Sequence, residues 1–438
     1  MTTRPLFTVI IPAKDRAEYL VHTLRTCMLQ DYEPFEVIVS DDGSIDRTRE
    51  VVEAAARRDS RIRYVSPSPT PGSSVGMRDN FEFALRQVRP GYVLALGADD
   101  GLLPHAVSGM HAALQSTGQE LLAWPAPVYS YAGARFPTSQ LMLYRRGRDR
   151  IVDSADFLRR QAERLDYLGD VESPMFYVKG VASTELVDRV RERSADGRFY
   201  HCPTPDGYSG IVLAGEVSTY AFSGRPFSIY GVSPTSQGMS YLAADAAARQ
   251  RSEAFFKHVA GSPMHAQLAS QPYSPLISLM TADYLLTAAD LPGWPGPQPT
   301  IDYARLAQRG LDELAHGLFS DTRMARELNI LSEIAGAHGL EDDFRRRLSG
   351  MRKYVRKSPF EGNGISPSQV FVDGSQFGLH DIVDAAYFAY CAHGVIPQLS
   401  LALVGRALGN SLLYRMRSRR QGERFPPESA WRMQPPGV

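Results

Sequence analysis

The sequence predicts an α/β protein: a mostly parallel sheet flanked by helices, followed by a mainly helical C-terminal region. Three observations predict it. Short apolar runs alternate with helical patterns through about the first hundred residues. The runs are apolar at successive positions, as strands covered on both faces are. From about Met239 onward the 3.6-residue period takes over.

Each element follows from its residues. Phe7 to Pro12 is a β-branched strand that Pro12 ends. Asp15 and Glu18 have the spacing of a capping box, and Leu20, Leu24, Cys27 and Met28 follow at helical spacing. Phe35 to Ser40 is the second strand, Asp41-Asp42-Gly43-Ser44 the turn, and 46–58 a helix. Arg61 to Val65 gives a third strand, 66–76 a Pro/Ser/Gly loop, 77–88 a helix, and Tyr92 onward a fourth strand. This βαβαβ order implies right-handed crossovers. Beyond Leu102 the pattern is mixed: Leu121–Trp124 and Phe176–Lys179 are expected as strands and 157–168 as a helix. Pro203 to Tyr208 is a turn feeding an apolar helix. Later helices are expected at 241–259, 277–288, 303–318, 323–337, 382–391 and 399–417, with 370–378 irregular or hairpin.

Composition narrows the function. The 48 Lys+Arg balance 48 Asp+Glu, so no overall field attracts nucleic acid. Three widely spaced cysteines, Cys27, Cys202 and Cys391, fit neither a disulfide framework nor a cysteine zinc site. No apolar run approaches the roughly 20 residues of a membrane span. Met1 to Pro5 runs straight into the first strand, so no signal peptide is expected. A cytoplasmic protein is the resulting expectation.

The run Tyr92-Val93-Leu94-Ala95-Leu96-Gly97-Ala98-Asp99-Asp100 carries the most information. A buried strand ends in two adjacent carboxylates, where the ligand crevice of an open α/β sheet lies. Acids so placed are costly without positive charge beside them. A hard divalent cation, Mg²⁺ or Mn²⁺, bridging to a phosphate answers that need. The alternative is a pair of turn acids capping the helix that starts near Pro104.

Val9-Ile10-Ile11-Pro12-Ala13, Val39-Ser40-Asp41-Asp42-Gly43-Ser44 and Gly97-Ala98-Asp99-Asp100-Gly101 resemble the inverting family 2 glycosyltransferases of the GT-A fold, whose sheet is Rossmann-like. The resemblance covers roughly residues 7 to 240 and is strongest in the first hundred. It implies a metal-dependent transfer of sugar, by single displacement with inversion, from a nucleotide-sugar donor to an acceptor hydroxyl. UDP-sugar is its default donor, and hexosyl or N-acetylhexosaminyl transfer its usual activity. The chemistry is consistent: a sugar nucleotide already carries its leaving group, so cation charge and one base suffice.

By resemblance, Asp100 binds the metal and Asp99 contacts the ribose or supports the metal. Asp41 and Asp42 face the nucleotide base, with Pro12, Ala13 and Arg16 lining the same pocket. Arg78 stands for the basic residue near the diphosphate; the family has Arg and Asn adjacent, whereas Asp79 intervenes here. Asp206 is the candidate catalytic base, and His201 a weaker alternative. Ser233 to Gly238 is either a loop that closes over the diphosphate or a plain linker. The expected divisions are 1–115 (nucleotide-sugar half), 116–240 (acceptor half) and 241–438 (helical extension).

The acceptor, whether glycan, lipid-linked or small molecule, is left open. The stretch Leu399 to Arg420, apolar and then basic, can lie on an anionic membrane, giving peripheral contact with its inner face, or can be a domain helix. An oligomer is left open too. A dinucleotide oxidoreductase is excluded by the absence of Gly-x-Gly-x-x-Gly after the first strand, where Pro12 to Ala17 contains no glycine. The remaining rival is a non-catalytic nucleotide-binding or scaffolding protein on the same fold.

Overall fold

The computed structural model describes residues 4–352 and 363–393, apart from positions 69, 146, 242–245, 317–318 and 367. The chain begins β1 (Phe7–Ala13), α1 (Ala17–Met28), β2 (Phe35–Asp41), α2 (Thr48–Ala56), β3 (Ile62–Val65), α3 (Met77–Leu85) and β4 (Tyr92–Ala95). After β5 (Gly101–Leu102) come α4 (Ala106–Thr117), β6 (Leu121–Ala123), β7 (Val128–Ser130), β8 (Gln140–Tyr144), β9 (Arg150–Asp153) and α5 (Ser154–Arg164). Then follow β10 (Gly180–Ser183), α6 (Thr184–Arg193), α7 (Pro205–Gly215), β11 (Thr219–Phe222) and β12 (Ser228–Val232).

The main sheet has the order β3-β2-β1-β4-β10-β6-β11-β9. The first four strands are mutually parallel, while β10 runs antiparallel to both its neighbours. Alternation along β1 explains the unbroken apolar run. Phe7, Val9 and Ile11 enter one hydrophobic cluster and Ile10 the other, on opposite faces of the sheet.

The C-terminal region is helical, as expected: α8 (Gln237–Ser240), α9 (Ala246–Val259), α10 (Ile277–Ala289), α11 (Tyr303–Ala315), α12 (Asp321–Ala337), α13 (Glu341–Gly350) and α14 (Ile382–His393). α10 packs against α7, and Leu279, Ala282 and Leu286 share a cluster with Ile10 and Val93. The region also contributes β13 (Gly364–Ile365) and β14 (Gln369–Asp373) to a second sheet, ordered β13-β14-β8-β7-β12-β5, which the sequence reading did not anticipate.

Two local expectations need correction. Phe176–Lys179 is not a strand: Val178 sits at φ +65° and Tyr177 makes only an isolated bridge to Ala95, so pairing starts at Gly180. Asp15 and Glu18 form no capping box. Asp15 is left-handed (φ +51°), and the α1 N-terminus is served from the second loop, where Asp46 accepts from the Ala17 N–H (2.9 Å) and Thr48 from the Arg16 N–H (3.1 Å). The expected helix at 399–417 and the basic stretch to Arg420 lie outside the described residues.

Candidate active site

β1, β2 and β4 end together, and their register brings Ala13 beside Asp41 and Ile10 beside Ala95. The Asp42 N–H donates to the Ala13 carbonyl (2.9 Å) and the Leu96 N–H to the Ile10 carbonyl (2.9 Å), extending that alignment into the loops. Parallel strands thus place Pro12, Ala13, Asp41, Asp42, Asp99 and Asp100 along one rim.

Asp100 is fully buried and Asp99 is 7% exposed. Asp100 Oδ2 accepts from the Gly97 N–H (2.6 Å) and Oδ1 from the Gly231 N–H (2.7 Å). Asp99 Oδ2 accepts from the hydroxyls of Ser233 (2.7 Å) and Ser236 (2.5 Å) and from the Ser233 N–H (3.3 Å). Neither acid caps α4, which begins at Ala106 behind a left-handed His105. Close approach requires two glycines. A Cβ at Gly231 would stand 1.7 Å from the Asp99 carbonyl oxygen, and one at Gly97 2.3 Å from the Tyr177 hydroxyl.

Burial first, and the neighbouring Asp99 carboxylate second, push the Asp100 pKa well above the ordinary carboxylate range; hydrogen bonds from Gly231, Gly97 and Tyr177 pull the other way. These surroundings suit a hard divalent cation. The pair offers oxygen ligands, its donors are all neutral, and among the described residues no cationic side chain forms an ion pair with either acid. Also among the described residues, no cluster of three or more His, Cys, Asp or Glu side chains suits a metal. An ion at Asp99 and Asp100 would therefore complete its shell with water or phosphate oxygens.

Asp41 and Asp42 are engaged differently. Asp41 Oδ1 accepts from the Ser44 N–H (3.0 Å) and Oδ2 from the Tyr64 hydroxyl (2.9 Å), closing its own turn. Asp42 gathers the 66–76 loop: Ser68 (2.8 Å) and the Val75 N–H (2.8 Å) on Oδ1, Ser74 (2.5 Å) and the Gly76 N–H (3.2 Å) on Oδ2. Lys14 Nζ lies 4.0 Å from Asp42 Oδ2. The Arg16 guanidinium donates to the carbonyls of Lys14, Asp15 and Thr235 (2.6 Å for the last), joining the first loop to the 233–236 segment. Arg78 pairs with Asp79 (3.2 Å), which also receives Arg198 (2.9 Å). Asn80 exchanges hydrogen bonds with Ser40 and holds α3 against the end of β2.

Asp206 occupies the first turn of α7, after Thr204 at the N-cap and Pro205. Its Oδ2 accepts from the Tyr167 hydroxyl (3.3 Å), while Oδ1 is buried and has no hydrogen-bond partner among the described residues. Burial raises its pKa, against the lowering effect of backbone N–H groups of the helix turn and of the Tyr167 and Tyr284 hydroxyls. The Tyr177 and Tyr230 ring centroids lie 6.0 Å apart, and burial first, then the charges of Asp100 and Asp206, raises the pKa of both. His201 is set apart from Asp206; its ring faces Tyr208 at 6.1 Å, and burial lowers its pKa.

Sequence reasoning passed over Lys14, Arg198, Tyr177 and Tyr230; it named the Ser233 to Gly238 loop but not the hydrogen bonds of its serines to Asp99. Lys14 had a signal, as one of five lysines and next to the Pro12-Ala13 motif. The tyrosines had none, because their spacing is that of core residues.

Known proteins resemble this N-terminal part. The profile of Glycosyl transferase family 2 matches residues 8–171. The chain is 34% identical over 104 residues to the GalNAc(5)-diNAcBac-PP-undecaprenol beta-1,3-glucosyltransferase of Campylobacter jejuni, an alignment covering 24% of this chain and 33% of that protein. It is 51% identical over 63 residues to the validoxylamine A glucosyltransferase of Streptomyces hygroscopicus subsp. jinggangensis, covering 14% of this chain and 15% of that protein. The chain thus spans about a third or less of the length of these relatives. Among solved structures, S. aureus TarS 1-349 in complex with UDP superposes at a TM-score of 0.41 with 15% identity, over 80% of this chain and 94% of that one. The acids at the ends of β2 and β4 lie inside residues 8–171, the segment that the Glycosyl transferase family 2 profile matches.

Proposed function

We propose that the protein transfers a sugar from a nucleotide-sugar donor to an acceptor hydroxyl, with UDP-sugar as the first donor to test. One observation carries this reading: adjacent buried carboxylates, Asp99 and Asp100, follow the parallel strand β4 without a cationic partner among the described residues, inside the segment that matches the transferase family.

Asp100, supported by Asp99, would hold Mg²⁺ or Mn²⁺, which when bound neutralises charge on the departing diphosphate. The protein's own groups do the rest. Asp41, Asp42, Pro12, Ala13 and Arg16 form the nucleotide side, with Asp42 able to turn from the 66–76 loop donors to a base N–H. Arg78 adds charge near the diphosphate. Asp206 accepts the acceptor hydroxyl's proton on Oδ1, the oxygen left without a partner. With attack opposite the leaving group, single displacement inverts the anomeric centre.

Calorimetry with UDP, with and without Mn²⁺, tests the reading, followed by donor turnover before and after chelation. Metal-dependent binding and chelator-sensitive turnover are the expected results. Failure of every nucleoside diphosphate to bind would leave the scaffolding alternative.

A further inference from the structure

We propose that the helical C-terminal region builds the acceptor side of this site: Tyr284 of α10, with Tyr167, positions the Asp206 carboxylate toward a neutral polyhydroxylated ring, a sugar or a cyclitol. This rests on the transferase reading above and adds a part of the chain that the family match does not reach.

The geometry is specific. Tyr167 follows α5 and donates to Asp206 Oδ2 (3.3 Å). Tyr284 reaches in from α10, its hydroxyl 2.5 Å from Thr204 Oγ1 at the N-cap of α7. The two rings meet edge to face at 5.3 Å, and both are almost fully buried. Gly207, the next residue after Asp206, admits them: a Cβ there would lie 2.5 Å from a ring carbon of each. Burial, and to a lesser degree the Asp206 charge, raises the pKa values of Tyr273, Tyr241 and Tyr230. Tyr230, Tyr241 and Asp206 itself retain partial exposure.

That chemistry selects its ligand. The partly exposed Tyr230 and Tyr241 offer aromatic surface to the C–H faces of a sugar or cyclitol ring. Asp206 Oδ1, buried and unpartnered, awaits a donor such as a ring hydroxyl. Among the described residues Asp206 forms no ion pair, so a phosphate or carboxylate set against it would meet an unpaired carboxylate; Arg323 and Arg135 act on Tyr241 and Tyr230 and are not among the main influences on Asp206.

The test uses the full chain, Mn²⁺ and UDP-, GDP- and dTDP-glucose. The readouts are nucleotide binding by calorimetry, donor hydrolysis with water as acceptor, and transfer to glucose, methyl glucoside, myo-inositol, glucose 6-phosphate and glucuronate. Wild-type protein is expected to prefer the neutral rings. Tyr284→Phe and Tyr167→Phe should bind nucleotide as wild type does. Each should lose roughly tenfold or more in kcat/KM, the scale of a lost hydrogen bond to a charged group. The acid limb of hydrolysis should move to higher pH, since donors to a carboxylate lower its pKa. Preference for the charged rings, or variants with unchanged kcat/KM and acid limb despite normal nucleotide binding, would overturn this inference alone. Absence of nucleotide binding in the wild type would overturn it together with the transferase reading.

Discussion

The two acidic centres, Asp99–Asp100 and the less buried Asp206, have different neighbours. Asp99 and Asp100 stand side by side, and their oxygens take donors from two glycines and two serines. Asp206 stands alone among phenols with one oxygen unclaimed. In the first, burial and a second carboxylate together raise the pKa of Asp100. In the second, burial alone raises that of a single carboxylate, one of whose oxygens has no hydrogen-bond partner among the described residues. The difference teaches that burial does not define a role; the neighbours do.

The sharpest way to break this comparison is to remove charge from the first centre. Asp100→Ala should abolish turnover and metal-dependent UDP binding, measured by calorimetry; wild-type rates would take Asp100 out of the site. Asp206→Asn comes next. It should lose about a hundred- to ten-thousand-fold in transfer, the usual worth of a general base, while UDP affinity holds. An active Asp206→Asn enzyme would end the division of labour between the two centres. Gly231→Ala probes the packing that keeps Asp99 in place. With its Cβ driven to 1.7 Å from a carbonyl oxygen, it should cost about 1–3 kcal/mol and lower the melting temperature.

The smallest effect is a pH dependence. The Asp206 pKa is raised by burial, so its base form is lost as pH falls at a higher pH than for an ordinary carboxylate. The acid limb of kcat/KM should accordingly lie above the range of an exposed aspartate. The stability contribution has the opposite sense: a carboxyl with a raised folded-state pKa favours the fold most at low pH, and that contribution declines as pH rises from the unfolded toward the folded value. A limb in the ordinary range would assign the base to another group.

Much of this was legible before any coordinates. β1 to β4 announced themselves because a strand covered on both faces needs a continuous apolar run, and the turns between them carry Pro, Gly and Asp. Asp99 and Asp100 stood out because they end an apolar strand, whereas Asp206, in a proline turn before an apolar helix, was singled out by the family resemblance. What stayed hidden depends on contacts far apart in sequence. β5 has two residues and β7 three, too short for a period to appear. The α1 cap comes from Asp46 rather than from Asp15, a choice no local window contains. Tyr167 and Tyr284 look like core residues in sequence and become polar groups only when α5, α7 and α10 converge.

The second sheet has a kinetic corollary. Its strand β8 is flanked on one side by β7, close in the chain, and on the other by β14, where Val370 faces Leu143. Such a distant partner makes ring closure slow, because the entropy of a long loop is lost before the pairing stabilises anything. Until β14 arrives, β8 presents a row of unpaired amides and carbonyls, an adhesive edge during synthesis or refolding. Aggregation during refolding should therefore start at 140–144, and a soluble peptide of sequence 369–373 supplied in trans is the natural reagent to blunt it.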